Sequence, residues 1–549
     1  MNSLARLTGI VAGTLLALSP ALAQQAMEAD KFVDSIGVCT HMWYPSTPYT
    51  TNYATVKQKL IAANIRHIRD DLATDRPAGV TAWKDLAASG IKTGYIFTQQ
   101  WATVATFKQF FISNNLVSTA DYVEGPNEFD ANKNTMPNWA TVLKNYQTDL
   151  YNQIKADALT SALPVLAPSF MINAQAERTA LGNISNIADY GNGHPYPGGQ
   201  MPTAAQTVND IGYISINTPG KPTILTEIGY HNATSTQDGH NPASELATSL
   251  YLPRVFFEMS SRGITRTYYY QFVDHLSDPG KTNPEAFFGL LRYDLSEKPA
   301  YIALKNLTTI MKDPGASFTP QSLNYSVSAP NSVPIRSKLY QKRDGNFYLA
   351  LWRDVSVWDI PTRTDISVAN VNATVTLPGL FNVTSFTPTQ SATGTSLGVA
   401  VSSVTVPLGG AVKILRINRN FRIRNNSLAN SFMNINTQTG KVQYGAADPG
   451  TWGSHWMLYQ IGTDLYTIRS RWTGDYTNIE QYTLGYLLYG PNMETFWSAH
   501  WFVTKNANGT YTIRNRWQGT YATIANRLGY VQHTATPNVD GQWVLSEAQ

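Results

Sequence analysis

Residues 419–549 repeat themselves. Phe421-Arg-Ile-Arg424 returns as Tyr466-Thr-Ile-Arg469 and as Tyr511-Thr-Ile-Arg514, so Ile423, Ile468 and Ile513 fall 45 residues apart. Trp456 and Trp501 keep the same interval of 45, and Trp543 follows after 42. Each copy has four short strand signals and a late tryptophan, and is too small to bury its apolar face alone. Three copies are too few for a propeller of one blade per copy; they suit a β-trefoil.

The chain ahead of the repeat is organised differently. Short β-branched or aromatic runs at 36–39, 65–69, 93–97, 122–124, 165–167, 187–190, 224–226 and 266–270 alternate with helical stretches. That alternation predicts an eight-stranded β/α (TIM) barrel over residues 30–312. No Gly-x-Gly-x-x-Gly turn follows the first run, which argues against a dinucleotide fold. From 313 to 418 the pattern becomes alternation and turns, the signature of a small antiparallel β-sandwich, with Ser/Thr/Gly-rich residues 387–396 expected as one of its loops. A multidomain chain is what 549 residues require.

The amino terminus has Arg6, an apolar stretch from Leu7 to Leu18 and Pro20-Ala-Leu-Ala23. This reads as a signal peptide, residues 1–23, and predicts a secreted or periplasmic protein without stable membrane insertion. Cys39 is the sole cysteine, so the exported chain has no internal disulfide and relies on its cores. A net charge of +4 without Lys/Arg runs gives a nucleic-acid partner no support. Charged residues make up 14% and aromatics 11%, a balance suited to stacking on flat ligands such as sugar rings.

Two glutamates end apolar runs at Gly/Pro/Asn-rich bends: Glu128 in Asp121-Tyr-Val-Glu-Gly-Pro-Asn-Glu128, and Glu227 in Thr223-Ile-Leu-Thr-Glu227-Ile-Gly-Tyr-His231. On the fourth and seventh strands of a barrel they would face one another across its mouth, where such barrels carry their chemistry. Cleavage of a glycosidic bond needs two carboxyl groups, one protonated to release the leaving oxygen and one ionised. No His-x-His or Cys/His cluster has metal-ligand spacing, so neither a metal nor another cofactor is expected.

With Asn127-Glu128, Glu227 and Arg69, the segment 30–312 resembles the clan of retaining glycoside hydrolases built on β/α barrels. The likeness is greatest to family 39 and related bacterial endoglycosidases, through Ile36-Gly-Val-Cys-Thr-His41, Val123-Glu-Gly-Pro-Asn-Glu128 and Thr226-Glu-Ile-Gly-Tyr-His231. The resemblance implies Glu128 as acid/base, Glu227 as nucleophile, Asn127 on the sugar 2-hydroxyl and Arg69 beneath the nucleophile, keeping it ionised. It further implies a His-x-Tyr segment in His194 and Tyr196 at the substrate site, whose tyrosine hydroxyl can donate to the nucleophile, with His41, Tyr270 and Gln271 as sugar contacts. Tyr268-Tyr-Tyr-Gln-Phe272 stands where many clan members have a tryptophan.

His455-Trp456, His500-Trp501 and Gln542-Trp543 stand where ricin-type trefoil lectins carry a Gln-x-Trp-like motif. Trp472 and Trp517, and likewise Tyr476 and Tyr521, are 45 apart in polar turns, and are candidate sugar-stacking platforms. The first copy has Ser427-Leu428 there, and the acidic residue of ricin-type sites is not evident. The expectation is an endo-acting hydrolase of a polysaccharide or oligosaccharide held by its trefoil. The alternatives are a non-catalytic adhesin or matrix protein, and a transglycosylase using the same glutamates.

Overall fold

The structure, a computed structural model, describes residues 23–98, 101–171 and 174–548. Apart from Ala23, the expected leader lies outside the described residues.

Eight parallel strands form the first sheet: Ile36–Cys39, His67–Asp71, Lys92–Ile96, Ala120–Glu124, Val165–Leu166, Gly191–Gly193, Thr223–Ile228 and Arg266–Tyr269. Each pairs with its sequence neighbour, the eighth pairs with the first, and a parallel bridge from Leu166 to Tyr190 closes the ring. This is the β/α barrel that the alternation predicts. Its lower interior is filled by Cys39, Tyr122, Leu166, Ile224 and Tyr268. A Cβ on Gly94 would lie 2.1 Å from the Tyr122 ring, so glycine there makes room for the tyrosine.

The sixth strand is displaced from the expected 187–190 to Gly191–Gly193. β-Propensity favours Ile187 to Tyr190, but the next residues must pass under the helix Ala205–Asn217, which a side chain would block. A Cβ on Gly191 would meet Thr218 Oγ1 at 2.5 Å and Ile214 Cγ2 at 2.7 Å.

The second sheet is mixed in origin. Arg336–Gln341, Phe347–Trp352, Val371–Thr387, Ser391–Leu408 and Lys413–Asn418 are its main strands, and Met27–Glu28 joins it in parallel beside Tyr340 and Gln341. Phe347–Trp352 is buried along its whole length. Phe347, Leu349 and Leu351 point into the sheet's own core, whereas Tyr348, Ala350 and Trp352 join the barrel core, so period-two alternation serves two cores at once. Phe257 of the barrel helix Glu245–Ser261 stacks on Phe32 at 4.6 Å and on Trp352 at 5.8 Å. The loop expected at 387–396 is mostly strand. Thr384 pairs with Ser396 and Thr387 with Ser391, leaving only a tight turn between two long strands. Its Ser/Thr/Gly composition suits an exposed hairpin as well as a loop.

The C-terminal region begins one residue after the second sheet ends. Six strands, Asn420–Asn425, Trp456–Gly462, Leu465–Ser470, His500–Lys505, Tyr511–Asn515 and Gln542–Glu547, form a closed antiparallel ring. Three hairpins, one per copy, are bridged to one another. Trp456, Trp501 and Trp543 are buried, and their indoles donate to Met433 O at 2.9 Å, Thr477 O at 3.0 Å and Ala522 O at 3.1 Å. Ile423, Ile468 and Ile513 share the same core. No described helix is long and apolar enough to cross a membrane.

Candidate functional site

A pocket of about 590 Å³ opens at the carboxyl ends of the barrel strands, lined in part by Arg69, Asp71, Asn127, Glu128, Tyr196 and Glu227. Along a regular strand, successive side chains alternate inward and outward. The seventh strand breaks this rule. Leu225 pairs with Thr267 and Ile228 with Tyr269, so it carries one extra residue between them. The bulge lets Thr226 turn inward to Asn192 and His194 while the next residue, Glu227, faces the pocket. Glu128 lies just past its strand with φ 48°, in the left-handed region that non-glycine residues rarely occupy.

Arg69 is the hub. Its Nη1 donates to Glu227 Oε1 at 2.6 Å, and its Nη2 to Asn127 Oδ1 at 2.6 Å. Nε and Nη2 form a two-point contact with Glu124, at 2.7 and 2.9 Å. Asn127 Oδ1 also accepts from Ser169 Oγ at 3.2 Å, which turns the amide nitrogen away from both partners. The Tyr196 hydroxyl donates to Glu227 Oε2. Burial pushes the Glu227 carboxyl above its usual range, with repulsion from Glu128 adding to it, while His194, Arg69 and Tyr196 pull it down.

His194 does not line the pocket. It sits behind the two glutamates, Nδ1 at 2.7 Å from Glu128 Oε1 and 3.6 Å from Glu227 Oε2. Its ring faces the two carboxyl groups and not the open pocket. Its tautomer follows from its neighbours. Asn192 Nδ2 donates to Glu124 Oε1 at 2.9 Å and Ala167 O at 3.1 Å, so Asn192 Oδ1 accepts the Thr226 hydroxyl proton at 2.7 Å. Thr226 Oγ1 then accepts from His194 Nε2 at 2.9 Å, which leaves a lone pair on Nδ1 facing Glu128. Glu128 completes that contact only as a protonated acid. Burial and Glu124 push Glu128 up to about 7 against the pull of Arg69, and burial holds His194 down to about 4, in keeping with a neutral ring and a protonated carboxyl.

One oxygen each of Glu128 and Glu227 and a nitrogen of His194 lie within 4.8 Å of one another, a spacing that could hold a metal ion and that sequence intervals do not reveal. Such an ion would compete with the Arg69 guanidinium for Glu227 and with the Glu128 proton for His194 Nδ1.

His41 lines the pocket, stacked on Tyr44 at 4.3 Å, and neither ring nitrogen has a hydrogen-bond partner among the described residues. Tyr270 also lines it, its hydroxyl 3.0 Å from Glu285 Oε2. Gln271 does not. Its side chain is buried between the Tyr49 hydroxyl and His275 Nδ1, at 3.4 and 2.9 Å, because the residue after Tyr270 points away from the mouth. Asp71, lifted by burial to about 6, and Glu285 add carboxyl groups that sequence reading missed. Glu124, Asn192 and Thr226 were missed too. The available signal was Glu124 itself, an ionisable residue on the same strand face as Tyr122.

In the C-terminal region Trp472 and Trp517 are 44% and 45% exposed, whereas Tyr476 is only 8% exposed and lies under the Arg469 guanidinium at 4.3 Å. Tyr476 presents no free face, since its hairpin folds it back onto the neighbouring strand. Tyr521 is half-buried.

No protein-family model and no curated protein sequence matches the chain. Among solved structures, a family 39 enzyme from Xanthomonas axonopodis pv. citri is 13% identical, covering 74% of this chain and 99% of its own, with a TM-score of 0.48. A glucosidase from Croceicoccus marinus is 12% identical, covering 73% and 98%, with a TM-score of 0.48. A family 39 glycoside hydrolase from Bacteroides cellulosilyticus WH2 is 15% identical, covering 71% and 82%, with a TM-score of 0.47. Likeness at this level assigns no chemistry.

Proposed function

We propose that the chain is a secreted retaining glycoside hydrolase, endo-acting on a polysaccharide, built as barrel, β-sandwich and ricin-type β-trefoil. The observation that carries this reading is the paired carboxyls at the barrel mouth, with oxygens within 4.8 Å and opposed surroundings. Retaining enzymes need about 5 Å between the carboxyls, and inverting enzymes, which place a water there, about 6.5–9.5 Å.

Glu128, protonated against His194 Nδ1, gives its proton to the leaving glycosidic oxygen. Glu227, whose ionised form Arg69 and the Tyr196 hydroxyl favour against its burial, attacks the anomeric carbon and forms a glycosyl-enzyme ester. Glu128, now ionised, takes a proton from water as that water displaces Glu227. Asn127, its oxygen occupied by Arg69 and Ser169, offers its N–H group to the sugar 2-hydroxyl. A line of rings, His41 to Tyr44 to Trp43 to exposed Trp101, at 4.3, 4.5 and 5.6 Å, leads out of the pocket and suits a chain continuing beyond the cleaved bond.

The test is product analysis by mass spectrometry, with the anomeric configuration of the fresh product read by proton NMR, after incubation with plant and bacterial polysaccharides, alongside Glu128→Gln and Glu227→Gln. Turnover by the wild type, lost in both variants and releasing product of unchanged anomeric configuration, is expected. A purified wild-type protein that cleaves none of them contradicts the reading.

A further inference from the structure

The internal threefold repeat allows each surface position of the C-terminal region to be compared with two others. Trp452 and Trp497 occupy the same place in successive copies, four residues before the core tryptophans, and are among its most exposed aromatics at 52% and 56%. Each has one face covered by a guanidinium from the next copy. Arg471 lies 4.7 Å from the Trp452 ring centroid, and Arg516 lies 4.2 Å from that of Trp497.

The guanidinium is itself held in the same way both times. Arg471 Nη1 donates to His455 Nδ1 at 3.2 Å, and His455 Nε2 donates to Pro449 O at 2.6 Å. Arg516 Nη1 donates to His500 Nδ1 at 3.3 Å, and His500 Nε2 donates to Glu494 O at 2.8 Å. Both histidines are buried, so the chain from carbonyl to imidazole to guanidinium to indole fixes the ring before any ligand arrives. The residue after each arginine is the exposed Trp472 or Trp517, and Trp472 packs beside Gly453, next to Trp452. At the third junction all four parts are replaced together. Val539 stands for the first tryptophan, Gln542 for the histidine, Asn426 for the arginine and Ser427 for the second tryptophan, although Asn426 N still donates to Gln542 O as Arg471 N does to His455 O. The backbone is kept and the whole side-chain device is absent.

We propose that Trp452-Arg471-Trp472 and Trp497-Arg516-Trp517 are two equivalent binding sites for an uncharged polysaccharide, lying between repeats rather than within one. The indoles stack on the C–H faces of successive hexoses and the guanidinium edge donates to their hydroxyls. An occupant that itself repeats fits two copies of one rigid platform, and their linkage on a single body gives avidity that neither has alone. The inference rests on the carbohydrate-directed reading above.

It is tested by affinity electrophoresis of the full chain through gels containing a soluble β-glucan, galactan or mannan, with turnover of a short oligosaccharide followed in parallel. The wild type is expected to be retarded by at least one polymer. Trp452→Ala with Trp497→Ala should weaken that retention by about tenfold or more, Arg471→Gln with Arg516→Gln should weaken it too, and Val539→Ala should leave it unchanged. All lie in the C-terminal region, away from the barrel-mouth pocket, so oligosaccharide turnover stays at the wild-type level. Retardation by none of the polymers, or a double tryptophan variant that migrates as the wild type does, overturns the proposal. A wild type that is retarded but cleaves nothing overturns the hydrolase reading and leaves these sites standing.

Discussion

Replacing Glu128 by glutamine should make the protein more stable in alkaline solution than in acid, relative to the wild type. Burial raises this carboxyl from 4.5 to about 7. Because its folded pKa lies above the unfolded one, the native state holds the proton more tightly. The stabilisation is full below pH 4.5 and is lost as the pH rises through 7. At about 1.4 kcal/mol per pH unit, the loss between pH 5 and 8 is about 2–3 kcal/mol, taken at the low end because 25% of the side chain faces the open pocket. Glutamine is neutral throughout and its N–H group still reaches His194 Nδ1, so the variant escapes this loss. Urea unfolding of both proteins at pH 5 and pH 8, followed through the transition that includes the barrel, measures it. Glu128→Gln should gain about 2–3 kcal/mol on the wild type between the two pH values. A difference below about 0.5 kcal/mol would refute a buried, proton-holding Glu128.

The same carboxyl should set the alkaline limb of kcat/KM near pH 7, and His194→Ala should move that limb to lower pH by admitting water and removing the acceptor of the acid proton, as a pH–rate profile would record. Glu124→Gln breaks a buried two-point pair with Arg69, and should cost about 3 kcal/mol in denaturant unfolding while lowering kcat more than it changes KM. Gly191→Ala forces a methyl to within 2.5 Å of Thr218 Oγ1 and should cost about 1–3 kcal/mol, read as a lowered urea midpoint with kinetics preserved in the folded fraction.

The barrel is legible in the sequence because buried parallel strands are short β-branched or aromatic runs, and strands such as Ile36–Cys39 and Arg266–Tyr269 fall on them. Gly191–Gly193 is not legible. Its residues are chosen for what passes close by, and no propensity records a neighbour's position. The repeat is legible because identical packing demands identical residues at fixed intervals. In the site, Glu128 and Glu227 stand out by their bends, whereas Glu124, Asn192 and Thr226 meet only through the closed ring of strands. Which nitrogen of His194 holds a proton follows from a chain of contacts that spans four strands. Gln271 and Tyr476 mislead for the opposite reason. Both are polar-tipped residues in plausible places, and only the local backbone direction decides that they face inward.

Met27–Glu28 lies beside Tyr340 and Gln341, and Gln24–Gln25 beside Ser322 and Leu323. The residues that open the described chain therefore find their partners only after the whole barrel has been synthesised. This delays closure, since pairings so distant in sequence form slowly and cannot nucleate folding. It also ties the start of the barrel to the edge of the second sheet, so that this edge cannot open without releasing the segment that leads into the first barrel strand. A protease cut or a bulky fusion just ahead of Ala29 would expose the Arg336–Gln341 edge, and damage would then show as self-association of that edge rather than as loss of the pocket at the barrel mouth.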